Sequence, residues 1–182
     1  SMSTIDNAAR KGWTMSDAPA FTRWLDDFFT SYYRRNPVSA TFIGVHDYDA
    51  LLPDLSPAAD AAAAAELDDL LRRLDSLPAE PLAAPEQLDR ELARAALEIQ
   101  RWELGAAQFQ AGNPCVYTGE AIFGCISLVL RDFAPLPERM AALEARLRAV
   151  PALLAQGRGR LRRAPADWIA RARRECAGAQ AF

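Results

Sequence analysis

Nearly every stretch of this 182-residue chain repeats its apolar residues at helical spacing, and none alternates with period two long enough to make a convincing strand. That spacing puts apolar side chains on one face of a helix. The chain is therefore constrained to an all-α fold, a bundle-like array of six to eight helices.

The helices can be placed from their interruptions. Asp17 is positioned to cap a first helix whose apolar face is Phe21, Trp24, Leu25, Phe28 and Tyr32. Asn36-Pro37 ends it, because the residue before proline is pushed out of helical geometry. Asn36 is then placed to cap a short helix, residues 37–43, stopped at Gly44 by the left-handed conformation glycine tolerates. A polar loop follows, and Ser56-Pro57 opens a third helix with the stripe Leu67, Leu70, Leu71, Leu74 and Leu77. Residues 78–85 hold three prolines and form the clearest linker.

A long helix from Pro85 is expected to carry Leu88, Leu92, Ala95, Ala96, Ile99, Trp102 and Phe109 on its inner side and to close at residues 112–114. Residues 119–131 are apolar all round, the pattern of a helix buried on every side. Pro135 and Pro137 start a further helix with Met140, Leu143, Leu147 and Val150 inward, continuing through a kink at Pro151. A last helix opens at Pro165 with Trp168, Ile169, Ala172 and Cys176, and its pattern runs on to Phe182 as though the domain were cut there. Residues 1–16 read as a tag remnant with a flexible N-terminus, and residues 17–182 as a single helical domain, the N-terminal portion of a longer protein.

Composition removes several function classes. A net charge of −3 with 51% hydrophobic and 25% charged residues fits one soluble globular domain. The longest apolar run is about half of the roughly 20 residues of a membrane span, and no basic region precedes an apolar stretch at the start. Neither a membrane nor export is expected. The three cysteines, Cys115, Cys125 and Cys176, then read as reduced thiols, small buried hydrophobes in a cytoplasmic protein. With His46 as the only histidine, no site needing two histidines can be built from this chain alone.

The candidate site is the loop with His46, Asp47, Tyr48, Asp49 and Asp54, one imidazole, one phenol and three carboxylates within nine residues. Such a set can ligate a cation or hydrogen-bond a peptide. Equally, its aspartates can simply make turns and caps. Tyr117 and Arg131 are added as substrate-binding candidates, with no catalytic and no metal-ligating residue assigned.

Of the 21 basic residues 20 are arginine, and residues 139–182 carry ten Arg against three carboxylates, +7, leaving −10 for residues 1–138. Arg158, Arg160, Arg162 and Arg163 could hold phosphates, but a basic end covering an acidic body is the preferred reading, with no nucleic acid as partner.

The runs Asn36-Pro37-Val38-Ser39-Ala40-Thr41-Phe42-Ile43-Gly44-Val45-His46-Asp47-Tyr48-Asp49 and Leu52-Pro53-Asp54-Leu55-Ser56 resemble the N-terminal signature of a bacterial family filed as domain of unknown function 885. Leu130-Arg131-Asp132-Phe133-Ala134-Pro135, Val150-Pro151 and Arg174-Glu175-Cys176-Ala177-Gly178 continue the resemblance in order. It implies a longer, helical, zinc-metallopeptidase-like protein whose metal-binding His-Glu stretch lies in its later part. This sequence has no His-Glu pair, and His46 is followed by Asp47, so no catalytic residue carries over and no cofactor is expected in this chain. The resulting expectation is a non-catalytic N-terminal helical region forming one wall of a substrate cleft. Its partner would be the remaining C-terminal catalytic region, in cis or on a second chain, with a peptide as substrate. The alternatives are a stand-alone helical binding or accessory protein and one chain of a split metalloenzyme.

Overall fold

A computed structural model describes residues 20–77 and 84–181. Asp17, residues 1–16 and most of the 78–85 linker lie outside the described residues. Among those described there are seven α-helices and no strand: α1 Ala20–Arg35, α2 Pro37–Ile43, α3 Pro57–Asp75, α4 Ala84–Gly105, α5 Cys115–Ile126, α6 Leu136–Arg160 and α7 Ala166–Ala181. No helix is long and apolar enough to cross a membrane.

The helices fall into two groups of three, joined by α2 and the loop after it. In the first, α3 packs against α1 and α4. Phe21, Trp24 and Phe28 stack along α1, with ring centroids 6.0 and 5.6 Å apart, and bury against Leu67, Leu70, Leu74, Ala93 and Leu97. The Trp24 indole N–H donates to the Leu70 carbonyl at 3.0 Å. In the second group α5 packs on α6 and α7 around Tyr117, Ala121 and Leu153. The Ser56 hydroxyl accepts from the Ala59 amide, capping α3 as its sequence predicts.

A close approach fixes α5 on α6. A Cβ built on Gly157 would lie 2.7 Å from the Tyr117 ring, which is itself buried. Gly157→Ala should therefore cost about 1–3 kcal/mol, the usual penalty for overpacking a filled core. A urea midpoint unchanged from the parent chain would contradict this.

Several expectations need correction. Asn36 does not cap α2; its side-chain amide donates back to the Tyr32 carbonyl at 2.8 Å. The fourth helix ends at Gly105, and residues 106–113 turn back on themselves. Its inner side is also the opposite one: Ala93 and Leu97 are buried, while Leu88, Leu92, Ile99 and Trp102 are all exposed. The apolar stretch 119–131 is helical only to Ile126, and Phe123 and Leu130 face outward.

On α6, Met140 and Leu147 are exposed, and Arg139, Arg146, Leu153 and Gly157 are buried instead. The reason is hydrogen bonding. Where α5 ends in the turn at 127–130, and at Pro37 and Ala134, carbonyls need donors, and an arginine fork supplies up to five. Pro151 lies inside a continuous α6. Finally, Cys115 and Cys125 are half-buried and Cys176 is exposed.

Candidate functional site

The loop after α2 begins where helical geometry must stop. Gly44 adopts φ +96°, and its amide and that of Val45 close on the Thr41 and Ala40 carbonyls. Turns then bring Asp49 back onto His46. The His46 Nδ1 lies 3.0 Å from Asp49 Oδ2, and the imidazole lies flat on the Phe133 ring, centroids 3.9 Å apart with the planes 6° from parallel. A carboxylate oxygen only accepts, so Nδ1 carries the hydrogen of this bond. Nε2 makes no hydrogen bond with a described residue.

Asp49 is itself held. Its Oδ1 accepts from the Thr41 hydroxyl at 2.6 Å, and Thr41 accepts from Arg146 Nη2 at 2.7 Å. Arg146 is fully buried and also donates to the Gly124 carbonyl at 2.6 Å, the Pro37 carbonyl at 3.3 Å and the Tyr48 carbonyl at 3.5 Å. Burial pushes its guanidinium below the ordinary arginine value, and the facing Asp49 opposes that shift. A relay therefore runs from the core at Arg146 through Thr41 and Asp49 to the exposed imidazole of His46.

The other candidates are distributed unevenly around this relay. Asp47 is exposed, and Tyr48 contributes its carbonyl to the arginine. Arg131 lies over the Phe42 ring, 5.1 Å from its centroid, and donates to the Phe42 carbonyl at 3.3 Å, near the end of α2. It stands two residues from Phe133, on the segment that supports the imidazole. Asp54 accepts from the Ser56 amide at 2.9 Å and from the Gln156 side chain at 2.8 Å; the first of these bonds is the main cause of its lowered pKa. That aspartate makes a turn, as the loop's alternative reading allowed. Tyr117 stands apart. Its ring is buried and its hydroxyl donates to the Gln110 carbonyl at 2.8 Å, so it belongs to the second core rather than to the loop.

Thr41, Phe133 and Arg146 are absent from the sequence-derived set, although all three position His46 or its partner. Arg139 and Arg146, seven residues apart on one helical face, were the available sign of a buried arginine row.

Two further features bear on chemistry. Burial pushes both the Cys115 and Cys125 thiols up, away from the thiolate a nucleophile needs. Among the described residues no three His, Cys, Asp or Glu side chains come together as a metal site. The zinc implied by the resemblance has no ligand set among the described residues. Among α1, α3, α4 and the loop that leads into α3 lies a cleft of about 550 Å³, lined in part by Arg35, Asp54, Asp60, Gln100 and Glu103. On its border Arg160 pairs with Asp60 and donates to the Leu55 carbonyl, an intramolecular use of the basic end.

Comparison with known proteins adds the following. The model of a family described as bacterial protein of unknown function, domain of unknown function 885, matches residues 37–181. No curated protein matches the chain. A solved structure from Shewanella oneidensis, a candidate lipoprotein of unknown function, is similar with a TM-score of 0.80 and 22% identity. The match covers 89% of this chain and 29% of that one. At such identity the likeness shows a shared fold, and this chain spans under a third of that relative's length.

Proposed function

The chain belongs to the bacterial family domain of unknown function 885, and from that premise we propose that it is the non-catalytic N-terminal helical region of a longer zinc-metallopeptidase-like hydrolase, shaping one wall of its substrate cleft. The observation that carries this reading is the relay from Arg146 to His46. It fixes an imidazole from behind and leaves Nε2 open; Asp47, next to it in the chain, and Arg131, two residues before Phe133, are both exposed. This set suits hydrogen bonding to the amides and charged ends of a peptide. The three unpaired thiols support a reducing, cytoplasmic setting.

The purified chain, incubated with a mixed peptide library with and without zinc, should show no metal-dependent cleavage by mass spectrometry. Cleavage that appears with zinc overturns the non-catalytic reading. The cleft-wall role has a separate readout. Because His46 is the only histidine, its ring signals stand alone in an NMR spectrum. Peptide addition should move them in the parent chain and not in Asp49→Ala, which frees the ring. Signals indifferent to every peptide pool would overturn the cleft-wall role.

A further inference from the structure

The exposed face of α4 carries a second pattern that the fold leaves unused. Leu88, Leu92, Ala95, Ile99 and Trp102 are spaced by four, three, four and three residues. That is an unbroken 3.5-residue repeat, the period of a coiled-coil seam. The four large members are 55 to 60% exposed. Trp102 also holds Phe109 edge-on at 6.0 Å, which extends the apolar strip past the helix end. The core side of the same helix is a different stripe, Ala93 and Leu97 with Ala96 and Leu104 beside them. α4 thus has one seam filled by α3 and α1 and a second of the same kind facing outward.

The residues bordering the outer seam say what could fill it. At the positions that flank an interhelical seam stand Asp89, Glu91, Glu98 and Glu103, with no basic residue among them. None of these four side chains forms a hydrogen bond with a described residue, although Glu98 adds to the field at Arg94. The arginines of the intervening turns, Arg94 and Arg101, are drawn onto Asp75 and Asp68 of α3. A second copy of α4 is disfavoured, because parallel or antiparallel pairing sets carboxylates against carboxylates. An anionic lipid surface is repelled by the same charges.

We infer that the outer face of α4 docks an amphipathic helix with an apolar seven-residue repeat and lysine or arginine at its flanking positions. Its apolar seam would cover Leu88, Leu92, Ile99 and Trp102, and its cations would meet Asp89, Glu91, Glu98 and Glu103. The inference is independent of the hydrolase reading.

The test uses two synthetic four-heptad peptides with leucine at the seam positions, one with lysine and one with glutamate at every flanking position. Fluorescence anisotropy of the labelled peptides is followed on titration with the chain. The lysine peptide should bind at least about tenfold more tightly, a preference of about 1.4 kcal/mol, and should weaken as salt is raised. Ile99→Glu should abolish binding while leaving the circular dichroism spectrum unchanged, since Ile99 is exposed. The double charge reversal E91K/E98K should shift the preference toward the glutamate peptide. Equal affinity for the two peptides, or no binding of either, overturns the inference. So does a concentration-dependent dimer of the chain that Ile99→Glu dissolves, which would assign the seam to a second copy.

Discussion

Replacing Arg146 with alanine is expected to destabilise the chain by about 3–5 kcal/mol, the cost of breaking a buried charged network from one side. The guanidinium is fully buried and serves the Gly124 and Pro37 carbonyls and the Thr41 hydroxyl. Removing it leaves the Gly124 carbonyl with only the Ser127 hydroxyl and the Pro37 carbonyl with the Thr41 hydroxyl as side-chain donors, withdraws the charged donor from a buried site at about 1–3 kcal/mol, and opens a void behind α5. Arg146→Lys should recover little, because an ammonium is a point donor and cannot reach several elements at once. Urea unfolding followed by circular dichroism measures the loss. A loss below about 1 kcal/mol, against the range typical of buried networks, would mean that water can replace the fork. A milder destabilisation that leaves the variant folded should still move the His46 ring signals, since the relay has lost its inner anchor.

Trp24→Ala is expected to have an effect of the same size, about 3–5 kcal/mol, for a different reason. Trp24 is 1% exposed and lies between Phe21 and Phe28 at the centre of the first core. Truncation removes most of its apolar burial and leaves a cavity that helices on either side, tied by Arg73 to Asp27 and by Arg34 to Glu66, cannot easily close. A fall of less than about 1 kcal/mol in a urea titration, against that expectation, would place Trp24 outside the true core. The two substitutions also separate the halves of the molecule, because Trp24 stabilises the α1, α3 and α4 group and Arg146 the junction with α5 and α6.

How far the sequence could be read depends on which physical signal each element carries. Helix existence was legible wherever apolar spacing and end signals agreed, as at Ser56-Pro57 and Gly44. Helix facing was legible when one stripe was apolar and the other polar, as on α1 and α3. It failed on α4 and α6, and for related reasons. α4 has two apolar stripes, and periodicity cannot say which one meets α3; the stripe of larger residues is the exposed one. On α6 the buried stripe contains Arg139 and Arg146, which hydrophobic patterning must place outside. Only knowing that carbonyls at Gly124, Leu128 and Ala134 need donors puts those arginines inside. In the candidate site the cluster of His46 with its aspartates was visible as composition in a loop. Its ordering by Thr41 and Arg146, and the flat contact with Phe133, depend on residues brought together only by the fold.

The relay to His46 also bears on the order in which the molecule comes together. Arg146 meets Thr41, Pro37 and Tyr48 across 105, 109 and 98 residues of chain, whereas α3 and α4 are near neighbours in sequence. Contacts that close long loops form at greater entropic cost and set folding rates more than local ones do. The loop that carries the imidazole therefore has its inner anchor only in a chain whose α6 is docked. The ring signal of the single histidine is therefore a probe of long-range closure that the helical signal, dominated by local hydrogen bonds, is not.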